Sequence, residues 1–258
     1  TVFGIVCVII LKSHHDIQKM RVAGRIVAEV LLKLREKLKP GVTTNELDRL
    51  AEAHIRKSGG IPTFIGYQGY PKTLCTSVNA EVVHGIPGSY VLREGDIIGI
   101  DCGVTHGGFV ADAAETMPIG VISDADVKLI ETTRQAMHEG IKAFAEGNRV
   151  GDISWGIQEM AEKNHYGVVK DFVGHGVGQK MHEEPQVPNF GRPATGPRLK
   201  AGMVIAIEPM FNLGTGDVKV LSDGWTVVTK DGRNSAHFEH TIALTENGTE
   251  ILTVMNYA

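Results

Sequence analysis

Cysteine is scarce in this chain of 258 residues: Cys7, Cys75 and Cys102 are an odd number without metal-type spacing. They build no disulfide framework, and a reducing compartment, the cytoplasm, fits best. Basic clusters are missing too. Lys and Arg number 26 against 30 Asp and Glu, a formal net charge of −4. The basic residues are scattered, so no nucleic-acid surface is expected. No apolar run reaches the roughly 20 residues that cross a bilayer. Val2 to Leu11 is almost continuously apolar, broken only by Gly4, but lacks the basic leader and cleavage site of a signal peptide. Residues 1–11 read as a buried β-strand or a remnant foreign to the domain; a membrane or export role is the weaker alternative. What is present is ordinary globular material, 42% hydrophobic and 22% charged, enough for one large domain or two small ones.

The chain echoes itself. Residues 92–101 (LREGDIIGID) match 199–208 (LKAGMVIAIE), each an apolar run closing on a carboxylate. At nearly the same offset, residues 40–60 and 146–166 each show a turn around Gly followed by helical spacing of apolar residues. Further helical stretches precede them, over 14–39 and 124–146. The expectation is one domain over 12–258, built from pseudo-repeats at about 14–120 and 121–254, each reading helix, turn, helix, strands. Facing halves would bring Asp101 and Glu208 to matching places in one central site.

Asp101 closes the apolar run Ile97–Ile100, where an ionised group is costly unless compensated. If His106-Gly107 forms a two-residue hairpin turn, Asp101 faces Asp112 directly. Like charges so placed repel, and a shared cation relieves them. A solvated hairpin carrying two unrelated acids is the other reading. Glu208 closes VIAIE, and Glu239 precedes a third apolar run. Each acid alone can be a hydrogen-bonded structural group; four in one apolar core point to cations.

His175 sits in VGHGVG, expected to be a glycine-flanked loop, and supplies a nitrogen ligand. A lone histidine is more often structural. Four carboxylates and one imidazole carry about four negative charges, which two divalent ions balance, and such ligation suits Mn, Fe or Co at least as well as Zn. Ions about 3.5–4 Å apart can share a hydroxide nucleophile and stabilise an oxyanion. His84, in VVHGIPG, and His182, in MHEEPQVP, read as catalytic rather than ligating, with structural roles as the alternative. The latter is no HExxH helix, because Pro185 prevents it.

With these residues assembled, the chain resembles the methionine aminopeptidases of the short bacterial type I form. The likeness runs from about residue 12 to 254. It rests on SVNAEVVHGIPG, the Asp101-to-Asp112 spacing, GHGVGQKMHEEPQVPNFG, AIEPM, DGWTVVTKDG and SAHFEHTIALTENG, in order. The resemblance implies an α+β pita-bread fold, with two pseudo-symmetric αβ halves around a central antiparallel sheet. It implies two divalent ions (Co, Mn, Fe or Zn): Asp101 holding one, His175 and Glu208 the other, Asp112 and Glu239 bridging. Glu208 would serve as general base, while His84 and His182 would contact the scissile amide. A methionine pocket would involve Phe64, Tyr67, Tyr70, Cys75, Met181 and Trp225, for which ordinary core packing is the alternative. Asn79, Ser235 and the backbone at Glu81 would hold a monovalent cation. The implied activity is removal of amino-terminal methionine, before a small second residue, from nascent chains at the ribosome, by a cytoplasmic monomer.

Departures are the apolar leader and the lack of a zinc-binding extension before it. The short stretch between His182 and Glu208 also leaves no room for the helical insertion of type II enzymes. Two rival readings are a metal-free binding module on the same fold and a Xaa-Pro peptidase, which usually carries a separate amino-terminal domain.

Overall fold

The computed structural model describes residues 8–254. Among the described residues, four α-helices arise where capping and apolar periodicity coincide. Helix α1 (His14–Arg35) starts at Ser13, whose hydroxyl accepts from the Asp16 backbone while the Asp16 carboxylate accepts from the Ser13 N–H. Helix α2 (Thr44–Lys57) starts with the same reciprocal device from Thr43 and Glu46. Helices α3 (Asp124–Ala143) and α4 (Val150–Asn164) repeat the pair in the second half. Both long helices end slightly before the expected boundary. Lys39 precedes Pro40, which disfavours the helical region for Lys39. The chain beyond α3 leaves helical angles at Phe144.

The main sheet has nine strands: β1 (Ile61–Pro62), β2 (Leu74–Val78), β3 (Ile97–His106), β4 (Phe109–Pro118), β5 (Gly174–Gly176), β6 (Glu183–Val187), β7 (Val204–Ile207), β8 (Glu239–Thr245) and β9 (Gly248–Ile251). Its order is β1-β3-β4-β8-β7-β5-β6, with β2 also on β3 and β9 also on β8. Every pairing is antiparallel. Helices α1 and α2 close one core with Val27, Leu31, Leu47 and Ile55 against Ile98, Ile100 and Val104. Helices α3 and α4 close another with Met137, Ile153 and Ile157 against Ile205, Ile207 and Ile242.

The internal echo is visible in hydrogen bonding. Thr43 bridges Val91 in the first half, and Arg149 bridges Arg198 in the second. Leu92 donates to Val42 O, as Leu199 donates to Asn148 O, both at 2.8 Å. These pairs fall at the offset of the sequence repeat and define two pseudo-symmetric αβ halves around the antiparallel sheet.

The described end of the leader, Val8–Leu11, differs from a buried strand. Residues 1–7 lie outside the described residues. Within Val8–Leu11 there is no strand, and Val8, Ile10 and Leu11 are 67%, 54% and 51% exposed. Ile9 packs on the second core. No sheet edge receives this segment; it is tethered where Lys12 N–H donates to Gly202 O at 2.7 Å. Among the described residues, no helix is long and apolar enough to cross a membrane.

Candidate metal centre and substrate cavity

Sheet register collects the acids. Cys75 on β2 opposes Asp101 on β3, which opposes Ala114 on β4, which opposes Glu239 on β8. Strand β8 pairs His240 with Ile207, so continuing that register by one residue sets Glu208 opposite Glu239. Directly opposed residues share a face of a sheet. A second row runs beside the first: Gly103 opposes Asp112, and Thr241 opposes Ala206. Thr241 Oγ1 joins its strand to Asp112, donating to Oδ1 at 2.7 Å and accepting from the Asp112 N–H at 3.0 Å. Gly176 opposes Ile205, which places His175 beside Ala206. Ala114 and Ala206 are small, and the Phe64 ring packs against Gly103.

Three local expectations are corrected. The hairpin turn is Gly107-Gly108, with φ of 57° and 79°, not His106-Gly107. Both positions of this turn take positive φ, which glycine adopts freely and histidine seldom does. Asp101 and Asp112 are therefore diagonal neighbours, on one face but two residues apart in register. Asp101 lies within β3 rather than at its end, since pairing continues to His106. His175 is in strand β5, not a loop. Its flanking glycines are required by packing, because a Cβ on Gly174 would sit 2.4 Å from Ala206 O and one on Gly176 2.2 Å from Glu184 O.

The electrostatics are severe. Burial pushes the carboxyls of Asp101, Glu208 and Glu239 well above their ordinary range, and the neighbouring acids push them further. Asp112 is raised by burial but eased by His175 and Thr241. Asp101 Oδ1 and Asp112 Oδ2 are buried without a hydrogen-bond partner. No Lys or Arg pairs with any of the four acids among the described residues. The His175 Nδ1 lies 2.9 Å from Gly176 O, which can only accept, so Nδ1 is the donor and Nε2 is the nitrogen turned to the acids. That nitrogen is 3.5 Å from Glu208 Oε1 and 3.6 Å from Asp112 Oδ2. Ligand atoms of Asp112, His175 and Glu239 lie within 4.8 Å of one another. Orphaned carboxylate oxygens beside an imidazole nitrogen form a donor set that fits divalent cations.

Above this floor opens a cavity of about 290 Å³. It is lined by all five candidate ligands, by His84 and His182, and by Phe64, Tyr67, Tyr70, Cys75, Met181 and Trp225. Tyr70 donates its hydroxyl to backbone carbonyls at Leu74 and Gly85, and its ring meets Trp225 edge-on at 5.0 Å. His84 adopts φ of 60°, a strained setting for a non-glycine residue, and its ring meets Phe172 at 5.4 Å. Burial lowers its pKa. The His182 ring sits between Tyr67 and His175, with Nδ1 2.6 Å from the Tyr67 hydroxyl. Burial, then the nearby His175 and His84, bring His182 down to about 4.

His237 lines the same cavity, although nothing in SAHFEH distinguished it from a core histidine. Its Nε2 is buried without a hydrogen-bond partner, 3.7 Å from Glu208 Oε2, and burial lowers its pKa to about 3. Gln68, Val83, Phe172 and Val173 complete the wall. Asn79, Glu81 and Ser235 are not part of that lining. Asn79 O accepts from the Ser235 N–H at 2.9 Å, the Asn79 amide is engaged by Ile97 and Asp96, and the Glu81 carboxylate accepts from the Val78 N–H.

Comparison with known proteins accounts for this arrangement. The model of metallopeptidase family M24 matches residues 18–246. A methionine aminopeptidase of Clostridium perfringens is 55% identical over 96% of this chain and 99% of its own length. Methionine aminopeptidase 1 of Bacillus subtilis is 53% identical over 95% and 99%. The solved structure of a Thermotoga maritima methionine aminopeptidase, 45% identical, superposes with a TM-score of 0.94 over 95% of this chain and 99% of that one. The chain belongs to metallopeptidase family M24, whose fold is the pita-bread fold. Within that family it falls among the methionine aminopeptidases, which are hydrolases.

Proposed function

We propose that this chain removes the amino-terminal methionine from nascent polypeptides, using two divalent ions held on the floor of the cavity. The carrying observation is the convergence of Asp101, Asp112, His175, Glu208 and Glu239 in two adjacent sheet rows beneath aromatic and sulfur-bearing walls. By the family resemblance, Asp101 would hold one ion and His175 and Glu208 the other, with Asp112 and Glu239 shared. Co, Mn, Fe and Zn all suit this donor set. When bound, such ions lower the pKa of a water and polarise the scissile carbonyl.

The protein groups do the rest. Glu208, whose carboxyl burial drives upward, accepts the proton of the attacking water and passes it to the leaving amine. His84 and His182 stay neutral near pH 7. The Tyr67 hydroxyl donates to His182 Nδ1, which leaves the proton on Nε2 for the substrate amide. Tyr70, Trp225, Cys75 and Met181 offer soft, polarisable contacts to a thioether. The family resemblance supports a small second residue, action as a monomer on chains leaving the ribosome in the cytoplasm, one catalytic domain over residues 12–258, and a monovalent cation near Asn79, Glu81 and Ser235.

The test compares Met-Ala-Ser with a Xaa-Pro dipeptide after metal loading. Release of methionine from the first, abolished by chelation, is expected. Faster cleavage of the Xaa-Pro substrate, or no cleavage of either, would reject the reading.

A further inference from the structure

Lys12 stands just before α1, in the arm that leads from the apolar leader, yet its side chain is 3% exposed. Its Nζ lies 2.6 Å from Glu183 Oε2, and that carboxylate's side chain is 5% exposed. Nζ also donates to Ile10 O at 2.9 Å, and the Lys12 N–H donates to Gly202 O at 2.7 Å. The ammonium is thus fixed from both sides. The other Glu183 oxygen, Oε1, accepts from the Lys180 N–H at 3.1 Å and closes the turn over residues 180–183. That turn presents Met181 and His182 to the cavity. Behind it, Gly178 donates to Lys180 O and accepts from the Val110 N–H. A Cβ on Gly178 would lie 2.5 Å from Lys12 Cε and 2.6 Å from Glu183 Oε1, so the backbone is close-fitted to the pair.

A buried ion pair is poor evidence for stability, because desolvation offsets the attraction; its better-attested use is to specify one arrangement. Here the arrangement specified is the turn carrying His182. We propose that Lys12, acting through Glu183, is a positioning residue for His182 and sets the aim of its imidazole at the substrate amide. This rests on the reading that His182 contacts substrate. It makes the arm before α1 part of the catalytic apparatus, although no atom of Lys12 lines the substrate cavity.

The experiment measures kcat, KM and metal content on Met-Ala-Ser for Lys12→Met, His182→Ala and their combination, well below each unfolding midpoint. Lys12→Met/Glu183→Gln is included because it removes both charges and leaves none buried alone. Displacing a positioned group by about 1 Å can lower the rate about 10²-fold. Lys12→Met and Lys12→Met/Glu183→Gln are therefore expected to lose about 10–10²-fold in kcat, with KM and bound metal little changed. In the His182→Ala background, Lys12→Met should add little further loss. A merely structural role would move the unfolding midpoint and leave kcat of the folded protein intact. Unchanged kcat in both Lys12 variants alongside a slow His182→Ala overturns the proposal and spares the functional reading. Additive losses also overturn it, placing Lys12's effect elsewhere. Full activity in His182→Ala overturns the reading of His182 itself, and the proposal with it.

Discussion

Asp101 concentrates the chemistry of the site in one side chain: it is buried, diagonal to Asp112 and unpartnered at Oδ1. Its raised carboxyl pKa means that the metal-free fold binds more protons than the unfolded chain over the interval between the two values. Stability from this group is full below the ordinary carboxylate range near 4 and is lost as pH rises through the folded value. Asp101→Asn removes that liability. At pH 8 the metal-free variant should melt a few degrees above wild type, the scale on which about 1 kcal/mol moves a domain of this size. The same substitution should lower turnover more than about 10²-fold, since even outer-shell changes around a metal cost about 10–100-fold. Scanning calorimetry and methionine release check both halves. His182 has the opposite sign. With its pKa at about 4 the ring is neutral, and the stability linked to it is full above about 6.5 and falls as pH drops toward 4. Nitrogen NMR of labelled histidine should show no His182 protonation between pH 8 and 6; a midpoint near 6.5 would contradict the assigned environment.

At the scale of elements, β5 shows how backbone packing places a ligand. Both glycines around His175 abut carbonyl oxygens of neighbouring strands, and Gly176 has no room for a methyl group. Gly176→Ala should destabilise the fold by about 1–3 kcal/mol and weaken metal binding by shifting His175, as measured by urea unfolding and metal titration. These constraints mark what was legible in the sequence. The helices could be read because apolar residues recur at helical spacing after turns around Gly, and the duplicated halves because apolar runs ending at Asp101 and Glu208 recur at one offset. The acids stood out because ionised groups in apolar strands need compensation. Register did not follow: Gly107-Gly108 and His106-Gly107 turns differ by one residue, and glycine's freedom at positive φ decided between them. His175 passed for a loop residue because glycines on both sides of it resemble a loop, whereas here they let strands pack closely. His237 escaped because a buried histidine looks the same in sequence whether it faces a core or a site. The strand reading did not hold for Val8–Leu11, because an apolar run does not say whether a sheet edge is available to receive it.

For the molecule as a whole, the two halves are joined by sheet pairing and by a shared set of anions. Asp101 and Asp112 come from one half, His175, Glu208 and Glu239 from the other. Ions bound only by the folded chain should therefore stabilise both halves together. At about 100 times the dissociation constant, binding at one site adds about 2.7 kcal/mol, so Mn²⁺ should raise a single cooperative melting transition by roughly 5–10 °C. Two separate transitions, only one of them metal-sensitive, would contradict the shared centre. The most direct measurement is the number of Mn²⁺ ions bound at equilibrium by chelator-stripped protein, taken with its melting temperature. Two ions per chain in wild type, with both binding and the melting shift lost in Asp112→Asn/Glu239→Gln, is the predicted result. Full binding in that double variant, or no binding at all by the intact chain, contradicts it.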